Sequence, residues 1–116
     1  MKIEVIDLDR NGIHLIKVEG RLDANFSSQL EDRIDQLIAE KTHKIILDFS
    51  DVTYLSSSGL RVLLSLKKET ENRGGLVLIH LRDIVKKVIQ IAELDDFFPQ
   101  ASSLEEAIRL LEQKNP

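Results

Sequence analysis

Apolar and polar positions change rhythm several times along this chain, and each rhythm predicts an element. In "IEVIDL" (3–8) and "IHLIKVE" (13–19) they partly alternate, as half-buried strands do. Asn11 and Gly12 stand between the two runs, so the pair predicts a hairpin, with Gly20 ending its second strand. In "DANFSSQLEDRIDQLIAEK" the spacing turns helical: Phe26, Leu30, Ile34, Leu37 and Ile38 fall on one face, with Asn25 or Ser28 as the cap and Ser28 with Glu31 as a capping box. "KIILDF" (44–49) is a continuous apolar run, the mark of a central strand buried on both faces.

"DVTYLSSSGLRVLLSLKK" then opens a second helix, predicted from Ser57 to Arg73, whose apolar face is Leu60, Leu63, Leu64 and Leu66 and which Gly74 and Gly75 stop. "LVLIHL" (76–81) reads as another buried strand. "RDIVKKVIQIAEL" reads as a third helix with Ile84, Val85, Val88, Ile89 and Ala92 inward. "DFFPQA" reads as a short extended piece ended by Pro99. "SSLEEAIRLLEQK" reads as a last helix, with a capping box from Ser103 to Glu106 or from Ser102 to Glu105. After the hairpin, strands and helices alternate. The predicted fold is therefore α/β: a mixed sheet of four to five strands, a hairpin followed by parallel strands, packed with about four helices in a single domain over 1–116.

The 116 residues hold one core and not two. A net charge of −4 with no basic stripe argues against nucleic acid as a partner. The absence of cysteine excludes disulfides, thiolate nucleophiles and cysteine metal sites. Glu4, Asp7, Asp9 and Arg10 break up the N-terminus, which leaves no signal-peptide core, and no apolar run reaches the roughly 20 residues of a membrane helix. The expectation is a cytoplasmic protein without membrane insertion.

No familiar catalytic pattern is present: "SSSGL" is not a G-x-S-x-G elbow, and there is no P-loop or dinucleotide fingerprint. His14, His43 and His80 lie on separate predicted strands or their edges without metal-ligand spacing. A triad of Ser57, a histidine and Asp48 has no local signature behind it. Position remains. Open α/β sheets carry their chemistry beyond the C-terminal ends of parallel strands. "GRLDAN" and "DVTYLSSSG" both arrive there, so Asp23, Ser56, Ser57 and Ser58 are expected on one edge of the sheet. A serine at a helix start stands in a field that favours an anion such as phosphate. The plain structural alternative makes Ser56 or Ser57 an N-cap, Ser58 filler of the first turn, and Asp23 a turn residue acting through its carboxylate.

Three stretches carry a family resemblance. "VEGRLDANFSSQL" resembles the early G-x-[LI]-D-x segment of the STAS domain. "KIILDFSDVTYLSSSGLRVLL" resembles its signature block, and "LDDFFPQASSLEEAIRLL" its ending. Within that family the chain resembles the single-domain anti-sigma factor antagonists of bacteria. The resemblance implies a switch in transcription control and not an enzyme, with no cofactor. Such antagonists bind an anti-sigma factor that is also a serine kinase. Phosphorylation of a serine at the start of the second helix releases it, and a serine phosphatase restores binding. Aligned on Gly59, the acceptor falls on Ser57, with Ser58 and Ser56 as alternatives. Asp23 matches an aspartate close to the phosphorylation site, and Asp23, Ser56, Ser57, Ser58 and Gly59 together form the implied partner-binding surface. Ser56 stands where the family often has aspartate. The same family also includes constitutive scaffolds, subunits of stress-sensing assemblies and partners of transport complexes. A non-switching STAS module is thus the alternative, and an enzyme or nucleotide hydrolase a remote one. Monomer and weak dimer are equally compatible with the sequence.

Overall fold

The two alternating runs at the N-terminus pair as predicted. The computed structural model describes residues 2–8, 12–39, 44–71 and 74–113. In it β1 (Lys2–Asp7) lies antiparallel to β2 (Ile13–Leu22), with Ile3 opposite Val18 and Val5 opposite Ile16. Gly12 adopts a φ of 75°, the left-handed conformation that the connection needs, while Asn11 lies outside the described residues. Gly20 does not end β2. The strand passes through it with a φ of 118° and a register shift, and runs on to Arg21 and Leu22.

β3 is likewise longer than its apolar core. It spans Lys44–Leu55 and pairs in parallel with β2 almost throughout, from Ile13 opposite Lys44 to Leu22 opposite Leu55. The sequence marks only 44–49 because the strand is buried on both faces just that far. Beyond Phe49 exposed Ser50, Asp51 and Thr53 interleave with buried Val52 and Leu55. β4 (Gly75–Ile79), buried at every position, and β5 (Gln100–Ala101) complete a sheet in the order β1-β2-β3-β4-β5, parallel from β2 onward.

Side-chain alternation divides the helices between the two faces. Ile16, Val18, Ile45, Leu47, Phe49, Leu76 and Leu78 point to one side, where α1 (Ala24–Ala39), α2 (Ser57–Thr70) and α3 (Asp83–Ile91) cover them. Ile13, Leu15, Ile46, Val77 and Ile79 point to the other, beneath α4 (Leu104–Gln113) through Ala107, Ile108 and Leu111. Phe26 and Phe49 are essentially inaccessible, and each fully buried side chain of this kind contributes about 1.5–3 kcal/mol.

Several element ends differ from the sequence pattern. Neither Asn25 nor Ser28 caps α1. Asp23 does, and Ser28 sits inside the helix with its hydroxyl donating to the Ala24 carbonyl at 3.4 Å. α2 stops at Thr70 rather than Arg73, a residue outside the described ones. In α3 Val85 and Ile89 are buried, a pair four apart, and Val88 is partly buried against the same core. Ile84 is 54% exposed and Ala92 is exposed too. Arg82, just before α3, donates to the Ser50 carbonyl at 2.6 Å and so fixes the rotation of the short helix. Pro99 precedes the extended piece instead of ending it: its carbonyl receives the Leu78 amide, and β5 follows. At α4 the Ser103 hydroxyl accepts from the Glu106 amide, while the Glu106 carboxylate reaches past Ser103 to the Ser102 amide. No helix among the described residues is long and apolar enough to cross a membrane.

Candidate functional site

Because β2 and β3 run side by side and end together, Asp23 and Ser56 leave the sheet at adjacent points. Both residues use their polar atoms to start a helix. The Asp23 carboxylate accepts from the Phe26 amide at 3.0 Å and its carbonyl from the Ser27 amide at 2.8 Å, which caps α1. Ser56, with extended backbone, caps α2: its hydroxyl oxygen accepts from the Gly59 amide at 3.0 Å. The same hydroxyl donates to the Leu22 carbonyl at 2.8 Å, and the Ser56 amide donates to that carbonyl at 3.1 Å. The start of α2 is thereby fastened to the end of β2.

Gly59 makes the fastening sterically possible. A Cβ at this buried position would stand 2.7 Å from the Leu22 oxygen and 2.8 Å from a Leu55 methyl carbon. One neighbour is backbone and the other is packed in the core, so neither has room to yield. The glycine is required by the close approach of helix to strand, and the sequence pattern had shown it only as part of a motif.

The three serines therefore have different surroundings. Ser56 is half-buried and its hydroxyl is engaged as both donor and acceptor. Ser57, the first residue of α2, is exposed, and Ser58 is half-buried. The first turn of α2 contains no acidic residue, and its leading amides have no acceptor within the helix, so this end favours an anion. Asp23, half-buried at the neighbouring strand end, is a carboxylate beside that field.

The other polar candidates lie elsewhere. The His80 imidazole is 3.3 Å from the Asp48 carboxylate, but Asp48 is mid-strand, seven residues before the end of β3. That puts it about 23 Å along the strand from the end of β3, beyond which the serines lie, and this breaks up any triad with Ser57. The His14 Nδ1 lies 3.4 Å from the Gly12 carbonyl and its Nε2 is 3.9 Å from Asp7, while His43 is outside the described residues. Among the described residues no group of three or more His, Cys, Asp or Glu side chains is arranged to hold a metal.

This sheet, with its antiparallel first strand, its helix layers and its serine-bearing second helix, is the STAS fold. The profile of the STAS domain family matches residues 5–107, and the chain belongs to that family. Its relatives include BtrV of Bordetella bronchiseptica, 31% identical over 92% of this chain and 91% of that protein. The anti-sigma-F factor antagonist RsfB of Mycobacterium tuberculosis is 24% identical over 91% and 87% of the two chains. Among solved structures, the anti-sigma factor antagonist SpoIIAA in its unphosphorylated form superposes with a TM-score of 0.79 at 25% identity, covering 97% of both chains. An anti-sigma factor antagonist from Mycobacterium paratuberculosis gives 0.81 at 23% identity, over 96% of this chain and 95% of that one.

Proposed function

We propose that the protein is a phospho-switched anti-sigma factor antagonist. In this reading it binds an anti-sigma factor that is also a serine kinase, docking over the start of α2. Phosphorylation of Ser57 releases it, and a serine phosphatase returns it to the binding form. The protein works by binding, with no catalytic residue of its own, in the cytoplasm of a bacterium.

The observation that carries this reading is the unequal use of the three serines. Ser56 spends its hydroxyl on the latch to Leu22 and the cap to Gly59, while Ser57 is exposed next to it. A kinase needs a hydroxyl it can reach, and a phosphate needs a position where it costs the fold little. Ser57 meets both conditions. Ser56 meets neither, because a phosphate there removes the latch. Support for the wider role comes from relatives: RsfB and a Staphylococcus epidermidis protein are named antagonists of anti-sigma-F and anti-sigma-B factors, and solved structures of SpoIIAA include a phosphorylated form.

The test is to incubate the protein with its cognate serine kinase and ATP, then map the modified residue by mass spectrometry. Phosphate on Ser57 is the expected result. Phosphate confined to Ser56 or Ser58 overturns the assignment, and no phosphate with any encoded kinase of this type overturns the switch.

A further inference from the structure

The chain carries a net charge of −4, yet residues 57–68, "SSGLRVLLSLKK", contain three cations and no acid. These twelve residues are the first three turns of α2. Lys67 is already occupied: its ammonium is 3.1 Å from the Glu71 carboxylate and 4.3 Å from the centre of the Phe97 ring. Arg61 and Lys68 are exposed, with no hydrogen bond or ion pair among the described residues. They fall on the outward side with Ser57, at spacings of four and eleven residues, and half-buried Leu60 and Leu64 flank them. An acidic molecule therefore presents a basic, partly apolar stripe at the place where the serine sits.

We infer that this stripe is a docking surface for an acidic segment of the protein partner, and that Arg61 is the cation a phosphate on Ser57 takes away from it. The inference rests on the reading of Ser57 as the modified residue. Residues four apart on a helix are neighbours, and the order anion first, cation one turn later is the favourable one. Arg61 has no acidic residue three or four positions away to hold it: those positions are Ser57, Ser58, Leu64 and Ser65. A guanidinium matches phosphate oxygens through paired N–H groups. The acidic residue at the neighbouring strand end is Asp23, one position past β2, and its carboxylate is held by the Phe26 amide as the cap of α1. The switch then acts by cancelling a docking cation as well as by adding negative charge. Unmodified, Arg61 reaches a partner carboxylate. Modified, it folds back on its own helix.

The decisive experiment installs phosphoserine at position 57 by genetic encoding, which needs neither kinase nor partner. Phosphorus NMR then follows the second ionisation of the phosphate in wild type, Arg61→Ala and Arg61→Lys. A nearby cation favours the dianion, so the midpoint in the wild type lies below that of Arg61→Ala by about 0.3 pH units, with Arg61→Lys between. Equal midpoints in all three overturn the pairing. In a second arm the unmodified Arg61→Ala and Lys68→Ala proteins, checked for native circular dichroism, are titrated with the kinase. Each binds about three- to tenfold more weakly, and the loss fades at high salt. Unchanged affinity in both variants overturns the docking surface. If phosphate fails to weaken kinase binding although the midpoints differ as stated, the switch reading fails while the Arg61 pairing stands.

Discussion

The carbonyl oxygen of Leu22 receives two hydrogen bonds from Ser56, from its amide at 3.1 Å and its hydroxyl at 2.8 Å, although the two residues are 34 positions apart. This contact brings the end of β2 and the start of α2 into one unit. It also gives the run of three serines a division of labour: Ser56 holds the helix start in place, and Ser57 is displayed there.

Replacing Ser56 tests the latch. Ser56→Ala loses the cap on Gly59 and one bond to Leu22, so stability is expected to fall by about 1–2 kcal/mol in urea unfolding. Ser56→Asp restores an acceptor for the Gly59 amide but offers Leu22 no proton, and is expected between the two. An alanine variant as stable as wild type contradicts the latch.

Gly59→Ala puts a methyl group 2.7 Å from the Leu22 oxygen. The helix start must move off β2 or the variant must carry the strain, a cost of about 1–3 kcal/mol. Partner binding should drop with it, since Ser57 is displaced. Retained stability together with full binding means that α2 has slack which the structure does not show.

Asp23 caps α1, and the proposed function gives it a second task that substitution can separate. Asp23→Asn keeps an oxygen for the Phe26 amide and removes the charge, so the fold is expected to hold while phosphorylation rate or partner affinity changes. Asp23→Ala loses the cap of α1 and about 0.5–2 kcal/mol. If the asparagine variant matches wild type in both functional assays, Asp23 is a capping residue and nothing more.

Ser27 illustrates a cost inside the fold. It is 1% exposed, and its hydroxyl has no hydrogen-bond partner among the described residues. Ser27→Ala removes the unpaired group at little change in volume and is expected to raise stability by about 1 kcal/mol, read as a higher urea midpoint. A clear destabilisation shows that the hydroxyl finds a partner in solution.

How far the sequence reveals this arrangement depends on which physics sets each feature. The hairpin, the buried runs of β3 and β4 and the four helices are legible because burial imposes a period. The far half of β3 is not, because Ser50–Leu55 is a strand covered on one side only, and its polar positions look like a loop. Gly20 reads as a stop because glycine usually interrupts a strand; here it accommodates a bulge. The serine loop and Asp23 are legible as neighbours once β2 and β3 are known to be parallel. The bond from Ser56 to Leu22 is not, since a contact across 34 residues depends on register. Nor is the basic stripe on α2: the sequence reads as having none, because Arg61 and Lys68 are seven residues apart and line up only once the outward side of the helix is known.

The most direct measurement is titration calorimetry of the kinase partner with the unmodified protein and with the protein phosphorylated on Ser57. Phosphate adds about −1.5 to −2 charges, and its repulsion and desolvation at the docking surface are expected to weaken binding by about 2–4 kcal/mol, roughly 30- to 1,000-fold. Helical circular dichroism should stay unchanged, because an anion at that end of α2 is favourable. Ser57→Ala should bind and resist switching, whereas Ser57→Asp should stay folded and bind less well. Equal affinity of the phosphorylated and unmodified proteins contradicts the switch; a large loss of affinity accompanied by loss of helical signal contradicts the claim that phosphate acts at the surface of an intact fold.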